Sequence, residues 1–358
     1  MKTAKERLLD AIAPEVDGVF VSSELNIFYL TNFDYTDGFV LVTRNKSYVI
    51  TDFRYAEAAK AAVSDEFEIV VPQSKMFAKI AELLEENGVK KLMFEDGFVS
   101  CADHARFAEI FKSCELVPGG TDALSTLREV KTEAELEKIN AAQKITDAAF
   151  AHILNFIKPE MTELEVALEL EFFMRRMGAQ STAFDTIAVS GASSSLPHGV
   201  PQARKLEKGF FTMDFGARLD GYCSDMTRTV VLGKADEDMK KLYNTVLSAQ
   251  LSAIEAIHEG AENAKVDKVA RDIIDNAGYK GCFGHGLGHG VGLYIHESPR
   301  VSSGVKEGVT LASGNVVTVE PGIYIEGKYG CRIEDMVAVT KDGCRNFTQS
   351  PKELIELF

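Results

Sequence analysis

Phe210-Phe-Thr-Met-Asp-Phe-Gly-Ala217, Arg218-Leu-Asp-Gly221 and Tyr222-Cys-Ser-Asp-Met-Thr-Arg-Thr-Val-Val231 read as two strands joined by a polar turn. Taking residues 218–221 as a four-residue loop makes Ala217 face Tyr222 and sets Asp214 opposite Asp225. Facing residues of an antiparallel pair hold their Cβ atoms about 5 Å apart on one face of the sheet. Two carboxylates so placed repel, and strand interiors are poor places for either. A bound cation would remove the conflict.

A second hairpin repeats the pattern. Val316-Val-Thr-Val-Glu-Pro-Gly-Ile-Tyr-Ile325 climbs to a turn centred on Gly327, and Cys331-Arg-Ile-Glu-Asp-Met-Val-Ala-Val339 returns, so symmetric counting pairs Glu320 with Glu334. One such pair could be accidental or share a proton; two in similar hairpins make coincidence a poor explanation. Between the hairpins lies Gly284-His-Gly-Leu-Gly-His-Gly-Val-Gly-Leu-Tyr-Ile-His-Glu297, which holds His285, His289 and His296. Its glycines suit a tightly wrapped loop but do not space as a dinucleotide fingerprint, and the chain has neither a phosphate loop nor a nucleophile elbow.

Four carboxylates with imidazole suit Mn²⁺, Co²⁺ or Zn²⁺. They are too many for one catalytic zinc, which usually keeps three protein ligands. Two ions about 3.5 Å apart fit the count better, and the chemistry implied is metal-assisted hydrolysis.

Composition sets the frame. The 358 residues suggest two domains, and 46% hydrophobic with 26% charged residues is an ordinary globular balance. Thirty-nine basic against 54 acidic residues give a net charge of −15, which argues against nucleic acid as a partner. The longest stretch free of charged residues, 186–203, is rich in Ser, Pro and Gly, so no membrane span is expected. The N-terminus shows no export signal, and the six cysteines show no close pairing. The expectation is a cytoplasmic protein with free thiols.

The first third alternates short strands (residues 18–22, 39–43, 47–51, 67–71 and 91–94) with helical spacing over 55–63 and 74–87. The turn-rich stretch Val117-Pro-Gly-Gly-Thr-Asp122 sets the expected domains at 1–122 and 123–358. Beyond it, Thr132 with Glu135 and Thr162 with Glu165 fit capping boxes that open long helices.

Taken together, His198-Gly, Asp214-Phe-Gly, Ser224-Asp-Met-Thr-Arg, Gly288-His-Gly-Val-Gly-Leu-Tyr-Ile-His-Glu, Thr318-Val-Glu-Pro-Gly-Ile-Tyr and Arg332-Ile-Glu-Asp resemble the pita-bread metallopeptidases. Within them the chain is most similar to prolidase (Xaa-Pro dipeptidase) and aminopeptidase P. The resemblance covers essentially the whole chain, and Thr51-Asp-Phe-Arg-Tyr55 resembles the creatinase-type N-terminal domain. It implies an α/β creatinase-like N-terminal domain followed by an α+β pita-bread catalytic domain.

It also implies two divalent ions, manganese first with cobalt or zinc as alternatives, held by Asp214, Asp225, His289, Glu320 and Glu334. A hydroxide bridging them would attack an Xaa-Pro bond, with Glu320 as proton shuttle. His198 and His296 would hold substrate and stabilise the oxyanion, and His285 matches a pocket histidine of the proline-specific members. Arg332 resembles the arginine that pairs with a ligand carboxylate and is counted among the substrate-binding groups. Arg300 matches an arginine thought to hold a dipeptide's carboxylate; its alternative is an ordinary surface arginine. Small proline-containing peptides as substrates and a homodimer follow from the same resemblance. His198, met alone in a Ser/Pro/Gly loop, would be read as solvated. The competing functions are a catalytically inactive peptide- or protein-binding relative and a creatinase-like amidinohydrolase without metal. Both lose ligand positions that are all present in this chain.

Overall fold

The computed structural model describes residues 2–358, which divide into two compact units between Arg128 and Glu129. The first unit is a six-stranded sheet ordered Glu68–Val70, Ser47–Thr51, Gly38–Thr43, Gly18–Val21, Lys91–Phe94, Glu115–Val117. Its middle strands pair antiparallel and its outer ones parallel. Phe20, Leu41, Ile50, Leu83, Leu84 and Phe107 bury its core against helices Met76–Glu86 and Cys101–Ile110. The turn-rich segment expected to end this domain instead leads into helix Gly120–Glu129. Gly120 sits so close to the Phe94 carbonyl that a side chain there would collide with it. Leu124 and Arg128 are buried, and Arg128 bonds Asn26, which keeps the helix with the first unit.

The second unit is built twice over. Helices Glu133–Phe156 and Glu163–Arg176, both opened by the anticipated capping boxes, cover a sheet ordered Glu356–Leu357, Met226–Leu232, Gly209–Phe215, Ile187–Ser190. Helices Glu237–Glu255 and Asn263–Ile274 cover a sheet ordered Glu297–Val301, Gly288–Gly290, Val316–Val319, Asp335–Thr340, Gly343–Asn346. Each hairpin therefore has apolar residues on the helix side, which leaves its other face for polar side chains. No helix among the described residues is long and apolar enough to cross a membrane.

Candidate metal centre and active site

The first hairpin departs from the expected register. Leu219 pairs with Tyr222 and Asp214 with Thr227, so Asp225 is not opposite Asp214 but two residues off. The turn is the two residues Asp220-Gly221, with φ of 48° and 81°. Two positive φ angles are what a two-residue hairpin turn needs to match strand twist, and Asp-Gly is a favoured pair for it. Because side chains alternate with period two, a shift of two residues keeps both aspartates on one face. They are diagonal neighbours.

The second hairpin has the counted register. Val319 pairs with Asp335 and Gly322 with Arg332, which sets Glu320 opposite Glu334 between them. Strand Gly288–Gly290 lies alongside, where a side chain on Gly288 would collide with the Thr318 carbonyl. That close approach brings His289 to the carboxylates. Its Nδ1 lies 3.1 Å from the Gly290 carbonyl, so Nδ1–H is the donor and the Nε2 lone pair faces outward. Nε2 is 3.6 Å from Asp225 Oδ2 and 3.5 Å from Glu320 Oε1. Ligand atoms of Asp225, His289 and Glu334 lie within 4.8 Å of one another, and all three residues are buried.

Burial, together with the charges of Glu334, Asp214 and Glu320, pushes the Asp225 carboxyl well above its ordinary range. Glu334 is raised in the same way, by burial first and then by Glu320 and Asp214. Burial also raises Glu320, to about 8, against the opposing charge of Arg332. Burial drives His289 down to about 3 and His285 to about 4, so both rings are neutral at pH 7. Neutral imidazole beside carboxylates that resist ionisation calls for a cation.

Arg332 supplies only part of that charge. Its Nη2 donates to Asp214 Oδ2 at 2.6 Å, Nε to Thr227 Oγ1 at 2.9 Å, and Nη1 to the Tyr324 hydroxyl at 2.7 Å and the Pro197 carbonyl at 3.2 Å. The pairing of Arg332 with the Asp214 carboxylate is thus present. Direct substrate contact is not what this geometry favours, because its N–H groups are directed to protein acceptors and the residue is 4% exposed. The Thr227 hydroxyl in turn donates to Glu334 Oε2 at 2.6 Å. Arg332→Lys keeps the charge but cannot fork between these acceptors. The expected result is a 10- to 100-fold loss of kcat/KM, roughly what removing a group behind a metal ligand costs. Steady-state kinetics with parallel metal analysis checks it.

Sequence reading missed several supporting groups. Thr227 and Tyr324 fell inside quoted motifs but carried no role. The Tyr324 hydroxyl lies 3.1 Å from His285 Nε2 as well as on Arg332. Asp267 and Arg271, four residues apart on helix Asn263–Ile274, form a bidentate pair. From there Arg271 donates to the carbonyls of Phe283 and His285, while Asp267 accepts from Leu287 N–H. Spacing of four suggests an ordinary helix pair, and nothing local discloses that it clamps the histidine loop.

One cavity of about 1010 Å³ gathers these residues. His198, Asp214, Asp225, His285, His289, His296, Arg300, Glu320, Arg332 and Glu334 all line it. His198 and His296 stand exposed at its surface, and the His296 ring meets His289 edge-on at 4.4 Å between centroids. Arg300 pairs across the sheet with His289, so its exposed side chain shares that face.

The donor set fits divalent metal. Asp214 Oδ1 is buried and has no hydrogen-bond partner among the described residues, an arrangement that burial of a carboxylate oxygen makes costly without a cation. Comparison with known proteins agrees. The profile of Metallopeptidase family M24 matches residues 137–341, and that of the Creatinase/Prolidase N-terminal domain matches 6–130.

The chain belongs to the M24 metallopeptidases.

This M24 peptidase is 36% identical over 346 residues to the Xaa-Pro dipeptidase of Pyrococcus horikoshii, covering 95% of each chain. The solved Xaa-Pro dipeptidase from Bacillus anthracis matches it with a TM-score of 0.94 at 42% identity, covering 99% of both chains. The X-Pro aminopeptidase from Thermotoga maritima matches with a TM-score of 0.92 at 34% identity, over 98% of this chain and all of that one. The fold is therefore the expected creatinase-type N-terminal domain plus pita-bread catalytic domain.

Proposed function

We propose that this M24 peptidase hydrolyses Xaa-Pro peptide bonds using two divalent ions held by Asp214, Asp225, His289, Glu320 and Glu334. The observation that carries the reading is the cluster of Asp225, His289 and Glu334 within ligand reach of one another, beside a buried, orphaned Asp214 oxygen. Relatives named Xaa-Pro dipeptidase and X-Pro aminopeptidase supply the bond. When bound, the ions acidify water to make a nucleophile at neutral pH and polarise the scissile carbonyl. Manganese is the first candidate, with cobalt or zinc as alternatives.

The chain's own residues do the rest. Glu320 faces His289 through Oε1 and His285 through Oε2, the latter at 3.8 Å, so Oε2 is the atom that takes and returns a proton. His296 and His198 hold the substrate from the open side and donate hydrogen bonds to the developing oxyanion. Tyr324 and Arg332 orient His285 and Asp214 from behind. The proline ring fixes the substrate's geometry at the bond to be cut, which a shaped wall can exploit. The reading takes the enzyme to work as a cytoplasmic homodimer. Sedimentation and cell fractionation test the setting.

Arg300 directs the choice toward dipeptides. Its cross-strand pairing with His289 on the cavity face supports a role in meeting a carboxylate on the residue after the scissile bond. Arg300→Ala is expected to lower kcat/KM for Xaa-Pro dipeptides roughly 10- to 100-fold, the worth of a hydrogen bond to a charged group. Longer Xaa-Pro-Yaa peptides should lose little. A peptide panel of varied length, assayed with several metals, decides both the bond and the length preference; equal losses for all lengths would remove the carboxylate role.

A further inference from the structure

Behind the cavity wall that carries His296 and Arg300 lies an ion pair that the proposed chemistry does not use. Lys131 and Glu297 have side chains only 1% and 3% exposed, with Nζ 3.5 Å from Glu297 Oε2. Lys131 immediately precedes Thr132, the N-cap of the 24-residue helix Glu133–Phe156. Its N–H donates to the Gly314 carbonyl at 2.9 Å, and its Nζ to the Glu129 carbonyl at 3.4 Å. This lysine is therefore tied to the body of the unit at both ends.

Glu297 follows His296 directly and opens strand Glu297–Val301, which holds Arg300. Its Oε1 accepts from the Tyr294 N–H at 3.0 Å. Gly292 lies so close to the same carboxylate that a side chain there would clash with it. The Glu129 side chain reaches the next residue, Ser298, by a hydrogen bond. The carboxylate thus closes the turn from Gly292 to His296 and fixes the start of the strand. Lysine is the cation that keeps it buried.

We infer that Lys131 is a positioning residue, which holds the His296–Arg300 wall in place through Glu297. The inference rests on the reading of His296 and Arg300 as substrate contacts. Without the ammonium, the carboxylates of Glu129 and Glu297 lose their shared counter-charge and the turn moves. The proposed ligands Asp214, Asp225, Glu320 and Glu334 are on other segments, and His289 is on the neighbouring strand Gly288–Gly290 rather than on the displaced turn, so metal retention should outlast the loss.

The test uses full-length enzyme loaded with Mn²⁺, as wild type, Lys131→Met, Lys131→Arg and Glu297→Gln. Metal content, hydrogen exchange of residues 292–300, and kcat and KM for an Xaa-Pro dipeptide are measured. Lys131→Met and Glu297→Gln should raise exchange in that segment and lower kcat/KM roughly tenfold, since small displacements of positioning groups cost one to two orders of magnitude in rate. Metal content should change little, and Lys131→Arg should keep the wild-type kcat/KM. Unchanged exchange and kcat/KM, even with lowered Tm, overturn the inference. So does loss of metal in step with activity. If Lys131→Met does not fold, the isosteric Glu297→Gln decides. Wild-type enzyme that cleaves no Xaa-Pro peptide refutes the peptide reading instead, and the exchange data then judge the positioning alone.

Discussion

Asp225→Ala is expected to abolish peptidase activity and tight metal binding together. Asp225 is buried, and it lies in the three-residue cluster that brings His289 and Glu334 within ligand reach. Its Oδ2 also faces His289 Nε2. Removing a group that merely supports a ligand costs 10- to 100-fold in affinity or activity, so losing a ligand should cost at least about 100-fold. The metal-free variant should nevertheless be no less stable than metal-free wild type, because alanine removes one of several mutually repelling carboxylates. Metal analysis, kinetics and thermal unfolding in chelator separate these effects. An active variant with full metal content would sink the assignment, and an unfolded one would mean that Asp225 is structural.

Removing metal should reverse the pH dependence of stability. In the fold burial raises the Glu320 carboxyl to about 8, and Asp225 and Glu334 are also raised well above their ordinary range. In the unfolded chain these groups titrate near 4. Between those values the native state binds more protons than the unfolded state, so stability falls as pH rises. The buried histidines act oppositely, since burial lowers His289 and His285 to about 3 and about 4, but only below about pH 6.5 where the unfolded imidazole gains its proton. From pH 6.5 to 8, then, the carboxylates alone set the sign at this site. Metal-free protein should melt lower at pH 8 than at pH 6.5. Metal should add more stability at pH 8, because binding displaces those protons. An ion at 100 times its Kd contributes about 2.7 kcal/mol per independent site. Calorimetry with and without Mn²⁺ at both pH values measures this, with Glu320→Gln as the variant whose metal-free slope should flatten. A metal-free Tm that rises across the window would contradict the raised carboxyls.

The two hairpins show what the sequence could and could not disclose. The second was legible in register because its turn is nearly symmetric about Gly327, whose φ of 68° suits glycine. The first was misplaced by two residues because Asp220-Gly221 sits inside a longer polar stretch that invites a longer loop. The error cost little: sheet periodicity returned both aspartates to one face. The proposed ligands were readable because each breaks a rule, a carboxylate in an apolar strand or a histidine among glycines. Thr227, Tyr324, Arg271 and Lys131 break none. Their roles depend on contacts with segments far along the chain, such as Lys131 with Glu297. The unit boundary followed the same logic, since burial of Leu124 and the bond from Arg128 to Asn26 carry the first unit past its turn-rich segment.

The tautomer of His289 is set by the Gly290 carbonyl, an acceptor that belongs to the main chain. Substitution elsewhere cannot delete it, and a side chain on Gly290 would act only by colliding with the Ser298 carbonyl and shifting the strand. Glu334, by contrast, takes its orienting bond from the Thr227 hydroxyl, which a single substitution to valine erases while keeping the shape. In the proposed centre one ligand therefore takes its aim from the main chain, and the other takes its aim from one side-chain oxygen atom. Drift in the proposed centre's metal affinity has its open door at Thr227.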